Sequence, residues 1–245
     1  MIVLGSSALG SQRRRPIKVD EDVFHKSEWL ESGTDPELSP TMFLVEQPPN
    51  VSLRAHFHAQ NQFQLFVRGS GRIGSHALRP LTVHYAGAYT GYGPLVSGPE
   101  GIAYFTIRSV FESGAFFMPE SRGKVIRGPK RQLTSDPAPP ADDASLIALK
   151  DVQVHDLIPP QAEGIEARIL RLPPGASITA ADAKGSAGQY AVVSAGSLVY
   201  GGRELCLWES LFVSGDEAPV PLLAGDRGAE VVLLRLPVKA EQYRA

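Results

Sequence analysis

The chain has 245 residues, with 24 Lys and Arg against 26 Asp and Glu, a formal net charge of −2. That length suffices for one large domain or two small ones, and so even a charge supplies no broad basic field for nucleic acid or an anionic membrane. Cys206 is the only cysteine, so no intrachain disulfide forms, which fits a reducing cytoplasm.

The first residues, MIVLGSSALGSQRRR, place a short apolar stretch ahead of the arginines, the reverse of a secretory leader. Residues 1–15 read as a disordered tail, with Arg13–Arg15 as its solvated charge run. No window of about 18 apolar residues exists to span a membrane. FHKSEWLES (24–32) offers a helical turn or two, and nothing resembles a long amphipathic helix. The 24 glycines and 20 prolines predict many tight turns between short strands. FQLFVRG, LTVHYAG and IAYFTIRSVF are β-branched or aromatic segments broken by Gly or Pro, as strands are. GPKRQLTSDPAPPADDAS (128–145) reads as a linker with little structure. Beyond it QYAVVSAG, LCLWESLFVS and AEVVLLRLP again predict strands, with Cys206 as an inert core thiol.

A shift of 127 residues organises the chain. It brings Gln62 onto Gln189, Gly69 onto Gly196, Pro94-Leu95 onto Pro221-Leu222, Gly98 and Gly101 onto Gly225 and Gly228, and Arg108 onto Arg235. So many ordered identities, with like polar and apolar character between them, mark an internal duplication of about a hundred residues, too long for a solenoid repeat. The expected architecture is all-β, with two barrels or sandwiches over residues 16–127 and 146–245.

The stretch RAHFHAQNQFQLFVRGSG holds His56-Phe57-His58, then three residues, Gln62, six residues and Gly69. In spacing it resembles the first motif of the cupin superfamily, His-x-His followed by Glu and Gly, with glutamine in place of the acid. The second-motif histidine has no counterpart in GAYTGYGPLVSGPEG, where Tyr92 falls near its place. The resemblance is direct over residues 40–118 and reaches 165–237 through the repeat. It implies two tandem jelly-roll barrels, a bicupin with a degenerate second half, and leaves the activity open.

If no bulge intervenes, His56, His58 and Gln62 share strand parity and face one way. His84, in TVHYAG, maps onto the apolar Leu211 and is expected to point inward as well. These four form the candidate site for a divalent transition metal, Fe, Ni, Mn or Zn. The Gln62 amide is its weakest ligand, because it brings no charge. The other reading of the same residues is a metal-free polar pocket. Gln64, Tyr89 and Tyr92 are candidate ligand-contacting residues, the two tyrosines lying in a Gly-rich loop. Arg108 and Arg235 read as strand-end salt-bridge residues. ASITAADAKGSAGQY, the second copy's counterpart of the motif, has no histidine, so the second barrel is expected to be structural. No GxSxG elbow and no phosphate loop appear.

Three functions follow as alternatives: a mononuclear metalloenzyme of oxygenase, isomerase or lyase type acting on a small organic molecule, a metal-free ligand-binding cupin, and an assembly protein. The expected partners are a small molecule and a second copy of the chain, with no nucleic acid and no membrane.

Overall fold

A computed structural model describes residues 1–180 and 182–244. Extended segments dominate, as the β-branched and aromatic runs require, and they form two compact units. The longest described helix, Ser7–Gln12, has six residues, and no helix is long and apolar enough to cross a membrane.

One unit comprises residues 8–138 and 239–244. Its nine-stranded antiparallel sheet runs in the order Gln132–Thr134, Val83–Ala86, Gln62–Ile73, Leu95–Arg108, Thr41–Gln47, Asp22–Glu31, Arg15–Val19, with Ser52–Leu53 and His76–Leu78 as side pairings. The other comprises residues 1–7 and 139–238. Its eight strands run Ile2–Gly5, Ser210–Val213, Gln189–Tyr200, Pro221–Arg235, Glu166–Leu172, Gln153–Ile158, with Arg203–Leu205 and Ser177–Thr179 beside them. The first six positions of the two strand orders correspond, the N-terminal sheet adding Arg15–Val19 at its far edge, and four successive strands recur at the 127-residue shift. This is a pair of tandem jelly-roll barrels from one duplication, called here the N-terminal and C-terminal barrels.

The repeated glycines have a steric reason. Gly69 and Gly196 sit at φ +76° and +63°, and a Cβ on either would lie 2.1 Å from the carbonyl oxygen of Gly101 or Gly228. Those are the positions where the long central hairpin bulges, between Ser97 and Ile102 and between Gly196 and Leu198.

Several expectations are corrected. Residues 1–15 are not a loose tail: Ile2–Gly5 pairs antiparallel with Ser210–Val213, and Ile2 and Leu4 pack on that barrel's core. An apolar segment that covers an open sheet edge gains both hydrogen bonds and burial. The arginine run is ion-paired, Arg14 with Glu46 at 2.8 Å and Arg15 with Glu28 at 2.5 and 2.7 Å. FHKSEWLES lies in strand Asp22–Glu31, because Phe24, Lys26 and Glu28 alternate toward one face. The 128–145 segment carries a strand, Gln132–Thr134, and a helix, Asp143–Ile147, capped by Asp142 and Ser145. Residues 239–244 belong to the N-terminal unit, where the Tyr243 ring lies 5.0 Å from that of Tyr89. Cys206 is exposed.

The interiors of the barrels differ in kind. In the C-terminal barrel, cross-strand neighbours Leu211, Ala191 and Leu233 sit in an aliphatic core with Val193 and Val231. The same places in the N-terminal barrel, 127 residues earlier, hold His84, Gln64 and Thr106. A buried leucine stabilises by about 1.5–3 kcal/mol, whereas a buried polar group costs free energy unless it is bonded. That polar row sets the interior of the N-terminal barrel apart from its repeat counterpart.

Candidate ligand site in the N-terminal barrel

Strand alternation builds the site. Gln62 and Gln64, then Tyr104, Thr106 and Arg108, point inward from the two central strands, with Phe43 and Val45 and then Phe24 and Lys26 continuing the face. His56 comes from the short strand His56–Phe57, held to the loop by backbone bonds with Tyr92 of 3.1 and 3.0 Å. Together they enclose a cavity of about 330 Å³, apolar toward Phe24, Leu53 and Phe117 and polar toward His56, His58 and Arg108.

At the polar end the hydrogen bonds run in one direction. The fully buried Arg108 guanidinium donates from Nε and Nη2 to Gln62 Oε1, at 3.0 and 2.8 Å. Gln62 Nε2 donates to the Tyr92 hydroxyl at 2.6 Å, and that hydroxyl meets His56 Nε2 at 2.8 Å. His56 Nδ1 lies 2.8 Å from the Arg54 carbonyl, which can only accept, so Nδ1 carries the proton and Nε2 receives the tyrosine's. The chain answers why glutamine stands where the motif has an acid. An amide accepts from Arg108 and donates to Tyr92 at once, which an ionised carboxylate cannot.

His58 is held differently. Its Nδ1 faces two acceptors, the Gly114 carbonyl at 3.0 Å and the Glu112 carboxylate at 3.2 Å. Arg108 Nη2 approaches the same nitrogen at 3.0 Å, so Nδ1 donates to Gly114 in one tautomer and accepts from Arg108 in the other. Glu112 also accepts from the Ala59 N–H at 2.7 Å and lies 3.7 Å from Arg108 Nη1. Burial tends to raise the Glu112 pKa, but His58, Arg108 and that N–H together hold it low. Burial pushes His56 down to about 4, and burial with the nearby guanidinium pushes His58 to about 3. Burial likewise takes His84 to about 3. All three imidazoles are neutral near pH 7.

The structure brings together His56, His58, Gln62 and Tyr92, with His56, His58, Gln64 and Tyr92 on the cavity wall. His84 stands behind the Tyr92 ring, centroids 5.3 Å apart, with Nδ1 2.8 Å from Thr134 Oγ1 and a buried Nε2 that has no partner. Tyr89, at φ +56°, is turned away from the cavity and packs on Tyr243 and Phe57. Sequence reasoning missed three residues. Arg108 continues the inward alternation of Tyr104 and Thr106, a signal present but read as a strand end. Lys26 lies in the segment read as helical. Glu112 follows a strand end and gives no sequence signal.

No protein-family profile and no curated protein sequence matches the chain. Solved structures do. A putative glyoxylate-induced protein from Pseudomonas aeruginosa aligns over 98% of this chain and 89% of its own, with TM-score 0.62 and 13% identity. The bacterial pirin YhhW from Escherichia coli, in complex with nickel(II), aligns over 97% and 99%, with TM-score 0.57 and 13% identity. An oxalate decarboxylase from Lactobacillus farciminis, in a formate complex, aligns over 94% and 86%, with TM-score 0.58 and 9% identity. The fold is a cupin fold. At these identities the likeness concerns the fold alone, and the nickel and formate belong to those proteins.

A metal is the natural cofactor to test on such a fold, and the residues present do not fit one. Two of the four candidate ligand atoms are spent: Gln62 Oε1 on Arg108 and His56 Nε2 on Tyr92. Among the described residues no three His, Cys, Asp or Glu are arranged to hold an ion. A guanidinium already sits at the site as a fixed positive charge, and a second cation beside it would be repelled in a low dielectric. The metal set expected from the motif is thus replaced by an arginine-centred network.

Proposed function

We propose that the chain is a bicupin whose N-terminal barrel is a metal-free binding site for a small organic molecule. The observation that carries this reading is the Arg108–Gln62–Tyr92–His56 chain, which uses the lone pairs a metal would need while leaving a walled cavity beside it. Gln62 links Arg108 to Tyr92 and His56, and His58 stands on the cavity wall beside Glu112. A cavity of about 330 Å³ lies at the small end of ligand sites. The test is elemental analysis of the purified chain. The expected result is no stoichiometric Fe, Ni, Mn or Zn, and one equivalent of any of them would overturn the reading.

A second reading, a mononuclear metalloenzyme of oxygenase, isomerase or lyase type, is favoured by one observation: the unpartnered, neutral His84 Nε2. For the C-terminal barrel, with its aliphatic interior, we propose a role in assembly as a homodimer. Light scattering at micromolar concentration should give twice the chain mass of 26.3 kDa, and a monomeric mass would contradict it.

A further inference from the structure

We infer that the N-terminal barrel takes a small organic monoanion, a carboxylate on an apolar body with a hydrogen-bond donor beside it. This rests on the metal-free reading and adds the ligand's chemistry to it.

Three features converge. The first is charge. Arg15, Lys26 and Arg108 lie on the cavity wall, and their ion-pair partners are Glu28 and Glu112. Three cations against two carboxylates leave one positive charge uncompensated. Lys26 is the more weakly paired one: Glu28 takes two short bonds from Arg15, at 2.5 and 2.7 Å, and lies 3.3 Å from Lys26 Nζ. A lone positive charge in a partly desolvated pocket selects a single negative one, and a carboxylate lets an ammonium donate without strict geometry.

The second feature is the apolar end. Phe24, Phe43, Leu53, Tyr104 and Phe117 give the wall aromatic and aliphatic faces, and Lys26 Nζ sits 4.0 Å from the Phe43 ring centroid. An inorganic anion would leave these surfaces wet, whereas a ring or branched chain attached to the carboxylate covers them.

The third is Gln64. It is 2% exposed, lines the cavity, and its Oε1 is buried with no hydrogen-bond partner. Buried amide oxygens are nearly always bonded, so a hydroxyl or N–H on the ligand supplies the missing donor. Thr106 is its cross-strand neighbour on the same face.

The probes are mandelate, which carries phenyl, hydroxyl and carboxylate; 1-phenyl-1,2-ethanediol, in which CH₂OH replaces the carboxylate; and phenylacetate, which lacks the hydroxyl. Calorimetric titration of the full chain should show mandelate binding at least tenfold more tightly than the diol, and more tightly than phenylacetate. In Lys26→Met the mandelate-to-diol ratio should fall about tenfold. In Gln64→Leu the mandelate-to-phenylacetate ratio should fall toward one. Ratios within one variant are insensitive to a partial folding defect. A diol that binds as tightly as mandelate overturns the anion inference and leaves the cavity reading standing. No mandelate binding also overturns the inference, and if nickel(II) then titrates in to one equivalent, the metal-free reading falls with it.

Discussion

Arg108→Met removes the guanidinium on which the polar end of the barrel is built and keeps much of the apolar stem. Lost are two bonds to Gln62 Oε1, one of 3.3 Å to the Glu112 carbonyl and the 3.7 Å ion pair with its carboxylate. The larger effect is what remains: a Glu112 carboxylate buried without its cation. Breaking one partner of a buried pair costs about 3–5 kcal/mol, a large share of the roughly 5–15 kcal/mol that holds a domain folded. The control lies in the same chain. Arg235 is the repeat counterpart, but it is partly exposed, its Nη2 bonds the Lys184 carbonyl, and its loss should cost under about 1 kcal/mol. The chain's two tryptophans separate the barrels, Trp29 packing edge-on against Phe105 in the N-terminal one and Trp208 lying in the other. Urea unfolding read by Trp29 fluorescence, in a Trp208→Phe background, should show a large loss for Arg108→Met. A loss under about 1 kcal/mol would refute the idea that this guanidinium organises the barrel.

Acid should destabilise the N-terminal barrel before carboxylates titrate. Above about pH 6.5 His56, His58 and His84 are neutral folded and unfolded; below it the unfolded chain takes up protons that sites depressed to about 4, 3 and 3 refuse. Stability should therefore fall from pH 6.5 toward 4 by about 1.4 kcal/mol per unit for each histidine, and His84→Leu should make the fall shallower in urea midpoints compared at pH 7 and 5. Deleting residues 1–6 should cost the C-terminal barrel roughly 2–4 kcal/mol in lost burial of Ile2 and Leu4, seen by Trp208 and not by Trp29; an unchanged Trp208 transition would restore the loose-tail picture. Gly69→Ala and Gly196→Ala should each destabilise their own barrel by more than about 1 kcal/mol, since both need positive φ and have no room for a Cβ.

The fold could be read from the sequence because duplication prints itself as ordered identities. Gly69 with Gly196 and Gly101 with Gly228 repeat because the backbone at each bulge admits no side chain. The position of the polar interior was also legible, from His56, His58 and Gln62 at motif spacing and from His84 over Leu211. What those residues do was not, because it depends on partners far away in sequence. Gln62 looks like a weakened ligand until Arg108, 46 residues on, is seen to occupy its oxygen. Glu112 gains its role only by folding back on His58 and Arg108. The opening residues were misread because a short apolar segment has no pattern of its own and becomes a strand only against an edge far along the chain, as in Ile2 opposite Val213 and Gly5 opposite Ser210.

If Arg108 stands where a metal would, the decisive comparison is a titration of nickel(II) into the wild type and into a double variant, Arg108→Met with Gln62→Glu. The double variant removes the fixed cation and restores a carboxylate beside His56 and His58. The wild type should take up no stoichiometric nickel and the double variant one equivalent. One equivalent taken up by the wild type, with Arg108 in place, would contradict that role for Arg108.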